Sequence, residues 1–130
     1  MLVVDAAVVV TACLAEAGFE PLAKEELIAP YLMWSEASSV LHELKWRNEI
    51  SDHLADVALK RLANADVGGR RPKGLIAEAW RIADQLGWAK TYDTEYLALA
   101  RLSRCRLLTT DAKLKAAATR LVDVIGPTEL

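Results

Sequence analysis

Leu2-Val3-Val4 runs directly into Asp5, and no other feature constrains this chain more. A short run of leucine and β-branched residues reads as a central parallel strand, buried on both faces. A carboxylate is costly inside such a strand, so Asp5 is expected to emerge at its carboxyl end. The pattern returns in RLLTTD (106–111), where a second apolar run leads to Asp111. Parallel sheets collect their ligands at the carboxyl ends of the strands, which gives both aspartates one address.

The rest of the chain fits around that edge. AAVVVTACLAEAG reads as a helix stopping at Gly18, and LIAP (27–30) as a strand closed by Pro30. YLMWSEASSVLHELKWRNE (31–49) carries a helical stripe of Leu32, Met33, Ala37, Val40, Leu41 and Leu44. Ser51 is the predicted N-cap of the next helix, which Gly68-Gly69 ends, and GGRRPKG (68–74) reads as loop. A helix over 75–87 precedes one over 91–104 that has Thr91 or Asp93 near its start. CRLLTT is then a strand, DAKLKAAATR a helix and LVDVIG a final strand. This order predicts an α/β fold with a mainly parallel sheet of about four to five strands and an all-helical insertion in its middle.

Length and composition narrow the functions. At 130 residues the chain is expected to form one domain, 1–130. With 53% apolar and 26% charged residues it reads as a soluble globular protein, not a disordered one. Its apolar runs are too short for a bilayer, and the first lacks the basic segment of a secretory signal, so a cytoplasmic location is expected. Cys13 and Cys105 are far apart and read as buried free thiols. A formal charge of −2 gives no general attraction for nucleic acid, so a polyanionic substrate requires a local basic patch or a bound cation.

Two further acids join the aspartates. Asp93 lies at the start of the helix that feeds the strand before Asp111, and Glu36 lies in the first turns of the helix after the second strand. Singly, each aspartate can be a helix cap and Glu36 a solvated residue. Together, Asp5, Glu36, Asp93 and Asp111 would repel one another at one sheet edge unless a divalent cation lay among them. Oxygen ligands without histidine or cysteine suit Mg²⁺ or Mn²⁺, and such an ion activates water and polarises a phosphodiester. Glu36 or Asp111 can orient the attacking water or act as general base. His42 and His53 have no partner at metal spacing and are expected on the surface.

LVVDAAV, APYLMWSEASSVL, YDTEYLALA and LLTTDAKL resemble, in order and spacing, the four acidic blocks of PIN-domain ribonucleases, specifically the short VapC-type toxins of toxin–antitoxin pairs. The resemblance runs from first strand to last and implies a three-layer α/β/α PIN-like fold and a Mg²⁺-dependent endoribonuclease leaving 5′-phosphate and 3′-hydroxyl ends. It implies Asp5 and Asp93 as metal ligands, Glu36 and Asp111 completing the pocket, and Thr110 supporting it by hydrogen bonding. It further implies a homodimer and a small VapB-type antitoxin, lying in an apolar groove and extending an arginine toward the acids. Ser39 stands where many relatives have asparagine, and Ala7 where many have serine or threonine.

Trp34, Trp46, Leu54 and Val57 are candidates for that groove, with Trp46 in the charged stretch KWRNE the strongest mark of an interface. Arg70, Arg71 and Lys73 are candidates for RNA phosphates. An enzyme with an aspartyl nucleophile would need a second aspartate at position 7, where Ala7 stands, and a receiver-type domain would need paired acids and a late lysine that are not laid out here. A free-standing metal-dependent nuclease and a PIN-fold RNA-binding or interaction module without activity remain as alternatives.

Overall fold

The computed structural model describes residues 1–129. Its sheet consists of β1 (Leu2–Val4), β2 (Leu27–Ala29), β3 (Val67–Gly69), β4 (Arg106–Leu108) and β5 (Val124–Ile125), all parallel, in the order β3-β2-β1-β4-β5. Every residue of β1 is fully buried, which requires cover on both faces of the sheet. The helices supply it. Helices α1 (Ala6–Leu14), α2 (Leu32–Trp46) and α3 (Asp52–Ala63) pack on one another. Helices α4 (Leu75–Leu86) and α5 (Tyr92–Ser103) form a second pair, with α5 against β1 and β4. The last helix, α6 (Ala112–Ala118), lies against β5.

The structure differs from the sequence expectation in three respects. The first helix ends at Leu14, not at Gly18, because Ala15 leaves the helix in extended conformation and a turn follows in which Gly18 takes the left-handed φ of 61°. The supposed all-helical insertion is interrupted by β3, whose glycines look like helix terminators yet pair with Ile28 and Ala29. At Gly69 the exposed Tyr31 ring lies over the backbone, in the space a Cβ would take. Third, the strands around Leu107 and Ile125 are shorter than CRLLTT and LVDVIG suggested.

The N-cap of α3 is as expected, with the Leu54 N–H donating to Ser51 Oγ at 3.0 Å. Thr91 occupies the N-cap position of α5 without a side-chain capping bond, and Asp93 lies in the first turn. Cys13 and Cys105 are free thiols, the first buried and the second partly so. Among the described residues no helix is long and apolar enough to cross a membrane.

Candidate active site

Strand order turns back between β1 and β4, the kind of switch point at which an open parallel sheet leaves a crevice. Val4 pairs in register with Leu108, so the next residues, Asp5 and Thr109, stand side by side at the carboxyl edge. The Thr109 hydroxyl donates to Asp5 Oδ2, and the Val8 N–H donates to Oδ1 at 3.0 Å. Asp5 is thus both the N-cap of α1 and a buried, oriented carboxylate, 5% exposed. A carboxylate has about four acceptor positions, so two hydrogen bonds leave it able to ligate further.

Support from Thr110 is corrected by this geometry. Thr110 is exposed, while Thr109 is buried, donates to Asp5 and accepts the Asp111 N–H at 3.0 Å. One hydroxyl therefore ties two of the acidic segments together. Thr109→Val keeps the shape but leaves Asp5 and the Asp111 N–H each short of a partner. A loss of about 1–3 kcal/mol in urea unfolding is expected.

Asp111 caps α6, accepting the Leu114 N–H at 3.0 Å, so a helix cap stands at the acidic edge here as at Asp5. Glu36, half-buried on α2, accepts a 2.5 Å hydrogen bond from the Tyr96 hydroxyl of α5. Asp93 extends from the first turn of α5, and its neighbour Thr94 anchors that turn. The fully buried Thr94 hydroxyl lies 2.9 Å from the carbonyl oxygens of both Ala79 on α4 and Thr91. Thr109, Tyr96 and Thr94 are the positioning residues that sequence reasoning missed. Nothing in the sequence marks the Tyr96 hydroxyl as one of them.

The acids sense one another. Burial, with the charges of Asp111 and Asp93 behind it, holds the Asp5 carboxyl above its ordinary value despite the two hydrogen bonds it accepts. Burial likewise raises Glu36, with Asp93 and Asp5 adding to the effect, and raises Asp93 together with Asp111. A fifth acid, Glu95, is raised by burial and by Glu36, while Arg71 opposes the shift. Of the three basic loop residues, Arg71 acts on Glu95. Arg70 instead pairs with Glu26 at 3.7 Å, and Lys73 is exposed on the loop.

Among the described residues no three acidic side chains form a closed cluster around a cation position. The donor set still fits a hard ion, because Mg²⁺ is ordinarily held by one or two carboxylates and completes its shell with water and phosphate oxygens. Asp5 and Asp93 would be those ligands. Beside the acids opens a cleft of about 550 Å³, lined by Glu36, Trp88, Lys90, Tyr92, Asp93 and Lys113.

A second groove, of about 620 Å³, runs between α2 and α3 past Leu41, Trp46, Ala55 and Leu59. Trp46 is 76% exposed there, but the other three groove candidates do not line it. Trp34 packs against the core near Gly69, and Leu54 and Val57 are half-buried. Leu59, which sequence reasoning passed over, is 55% exposed in the groove. Both His42, at the groove's rim, and His53 are exposed.

A parallel five-stranded α/β fold with acids gathered past β1 and β4 defines a class of protein, and comparison with known proteins names it. Residues 2–119 match the family model described as PIN domain. VapC ribonuclease Mb0985 of Mycobacterium bovis and ribonuclease VapC9 of Mycobacterium tuberculosis are each 33% identical to this chain over 115 residues, 88% of either chain. PAE2754 from Pyrobaculum aerophilum superposes with a TM-score of 0.74 at 25% identity, over 98% of this chain and 91% of that one. FitAcB from Neisseria gonorrhoeae, at 18% identity and a TM-score of 0.66 over the whole of both chains, speaks for the fold alone. The chain belongs to the PIN-domain family, among its VapC-type members.

Proposed function

We propose that this protein is a Mg²⁺-dependent endoribonuclease and the toxin of a toxin–antitoxin pair. The observation that carries the reading is the meeting of Asp5, Glu36, Asp93 and Asp111 at one sheet edge, where burial and mutual charge raise the carboxyls of Asp5, Glu36 and Asp93. Relatives named as ribonucleases, matched over most of both chains, support it. Bound at Asp5 and Asp93, Mg²⁺ (or Mn²⁺) supplies positive charge to a phosphodiester that the acids alone would repel.

The protein's own part is positional. Thr109 and the α1 amide hold Asp5 in one orientation, and Thr94 fixes the turn that carries Asp93. Glu36, steadied by Tyr96 and raised by its surroundings, accepts the proton of the attacking water. Water oxygen bonds to phosphorus as the bond to the 3′-oxygen breaks and that oxygen takes a proton from solvent, leaving a 5′-phosphate and a 3′-hydroxyl. Arg71, which acts on Glu95 next to the acids, is the loop residue best suited to neighbouring phosphates, since Arg70 is paired with Glu26.

The partner reading is an antitoxin whose apolar segment lies in the α2–α3 groove on Trp46 and Leu59, and a homodimer is part of the same proposal. Incubating purified protein with cellular RNA in Mg²⁺ and in chelator tests the enzymatic claim. Discrete fragments are expected only with the cation. Intact RNA in both, with folded protein, would favour an inactive binding module.

A further inference from the structure

The cleft beside the acids contains more than acids. Tyr92, one residue before Asp93, is 59% exposed, an unusual position for a ring in the first turn of a helix whose remaining face is buried. Across the cleft the Lys113 ammonium sits 5.0 Å from the centre of the Trp88 ring. Lys113 also acts on the Asp93 carboxyl, lowering it against the burial that raises it. Among the described residues neither Lys113 nor Lys90 belongs to an ion pair. The indole face therefore stations Lys113 near Asp93 without neutralising either charge by direct contact.

An exposed ring, an unpaired cation and the acidic edge within one cleft match the parts of a nucleotide. A base requires a flat apolar face, its phosphate requires a cation, and the acids lie alongside. We propose that Tyr92, with Lys113 held on Trp88, forms a subsite for one unpaired nucleotide next to the scissile phosphate, its base on the Tyr92 ring and its phosphate on Lys113. The inference rests on the ribonuclease reading and deepens it. It makes single-stranded RNA the substrate, because bases within a duplex are stacked on one another and cannot reach the ring.

Binding of a short unstructured, fluorescently labelled RNA tests this, measured by anisotropy in Ca²⁺ in place of Mg²⁺ with the RNA checked intact on a gel. The same RNA annealed to its complement and a version with abasic residues are the comparisons. Tyr92→Ala, a change at an exposed ring, is expected to weaken binding of the ordinary strand by roughly tenfold, the scale of one base stacked on an aromatic ring. It should not change binding of the abasic strand. Lys113→Met, which keeps the alkyl chain over Trp88, should weaken both strands. A Tyr92→Ala loss equal on ordinary and abasic RNA, duplex bound as tightly as single strand, or no measurable binding of the single strand would each overturn the subsite. Cleavage in Mg²⁺ separates the two readings. Cleaved RNA without the base-dependent loss removes the subsite alone, and base-dependent binding without cleavage removes the ribonuclease alone.

Discussion

Asp93→Asn is expected to lower RNA cleavage by about three orders of magnitude, the scale at which single preorganised electrostatic groups act in enzymes, while the protein stays folded and about as stable. Asp93 is the acid at which these effects separate most cleanly. It caps no helix, since Thr91 holds the N-cap of α5, and among the described residues it accepts no side-chain hydrogen bond. Asparagine loses the favourable meeting of a negative charge with the helix N-terminus, about 0.3–1 kcal/mol. It also removes a charge that burial and Asp111 make unfavourable, and the two effects oppose. Urea unfolding should therefore shift by less than about 1 kcal/mol. Asp5→Ala is the instructive contrast, because it strips partners from the Val8 N–H and the Thr109 hydroxyl. Its activity loss would be mixed with unfolding.

The second large effect concerns stability, with and without the cation. Asp5, Glu36 and Asp93 all have carboxyls raised above their ordinary values, 3.8 for aspartate and 4.5 for glutamate, by burial first and by one another second. A carboxyl that holds its proton more tightly when folded makes the native state bind more protons than the unfolded chain between the two values. The contribution of these groups to stability is therefore lost as pH rises from the ordinary values through the raised ones, and it stays lost at neutral pH. A cation bound among them reverses that loss. At ten times its dissociation constant Mg²⁺ should add roughly 1.4 kcal/mol at pH 7, a rise in Tm of about 3–8 °C. Below the ordinary values, where carboxyls raised above them are protonated, the rise should nearly vanish. Scanning calorimetry on wild type and Asp93→Asn checks this, and an equal rise in both at pH 7 would remove Asp93 from the ligand set.

How much of this could be read from the sequence depended on how locally each feature is encoded. The four acids were legible because each stands just past an apolar run or at a helix start, and strand direction alone then sends them to one edge. Thr109 was not legible. Choosing between Thr109 and Thr110 requires the register of β4 against β1, and neighbouring residues face opposite ways. β3 was hidden because Gly68 and Gly69 have no intrinsic strand preference and form one only by pairing with β2. The groove shows the same limit. Trp34 and Trp46 share a helix and a residue type, yet one closes on the core and the other stands in solvent, a difference set by where α2 meets its neighbours. The Tyr96 hydroxyl has a role only because α5 lies beside α2, a contact between residues 60 apart in sequence.

The central claim is cation-dependent hydrolysis of an RNA phosphodiester at the edge formed by Asp5, Glu36, Asp93 and Asp111. It is tested most directly by the mass of the ends left on a defined single-stranded RNA cleaved by the purified protein. Water attacking phosphorus, with the 3′-oxygen as leaving group, predicts 5′-phosphate and 3′-hydroxyl fragments that form in Mg²⁺ and are absent in chelator. Fragments ending in 2′,3′-cyclic phosphate and forming equally in chelator would contradict it, because attack by the RNA's own 2′-hydroxyl uses neither the water nor the cation.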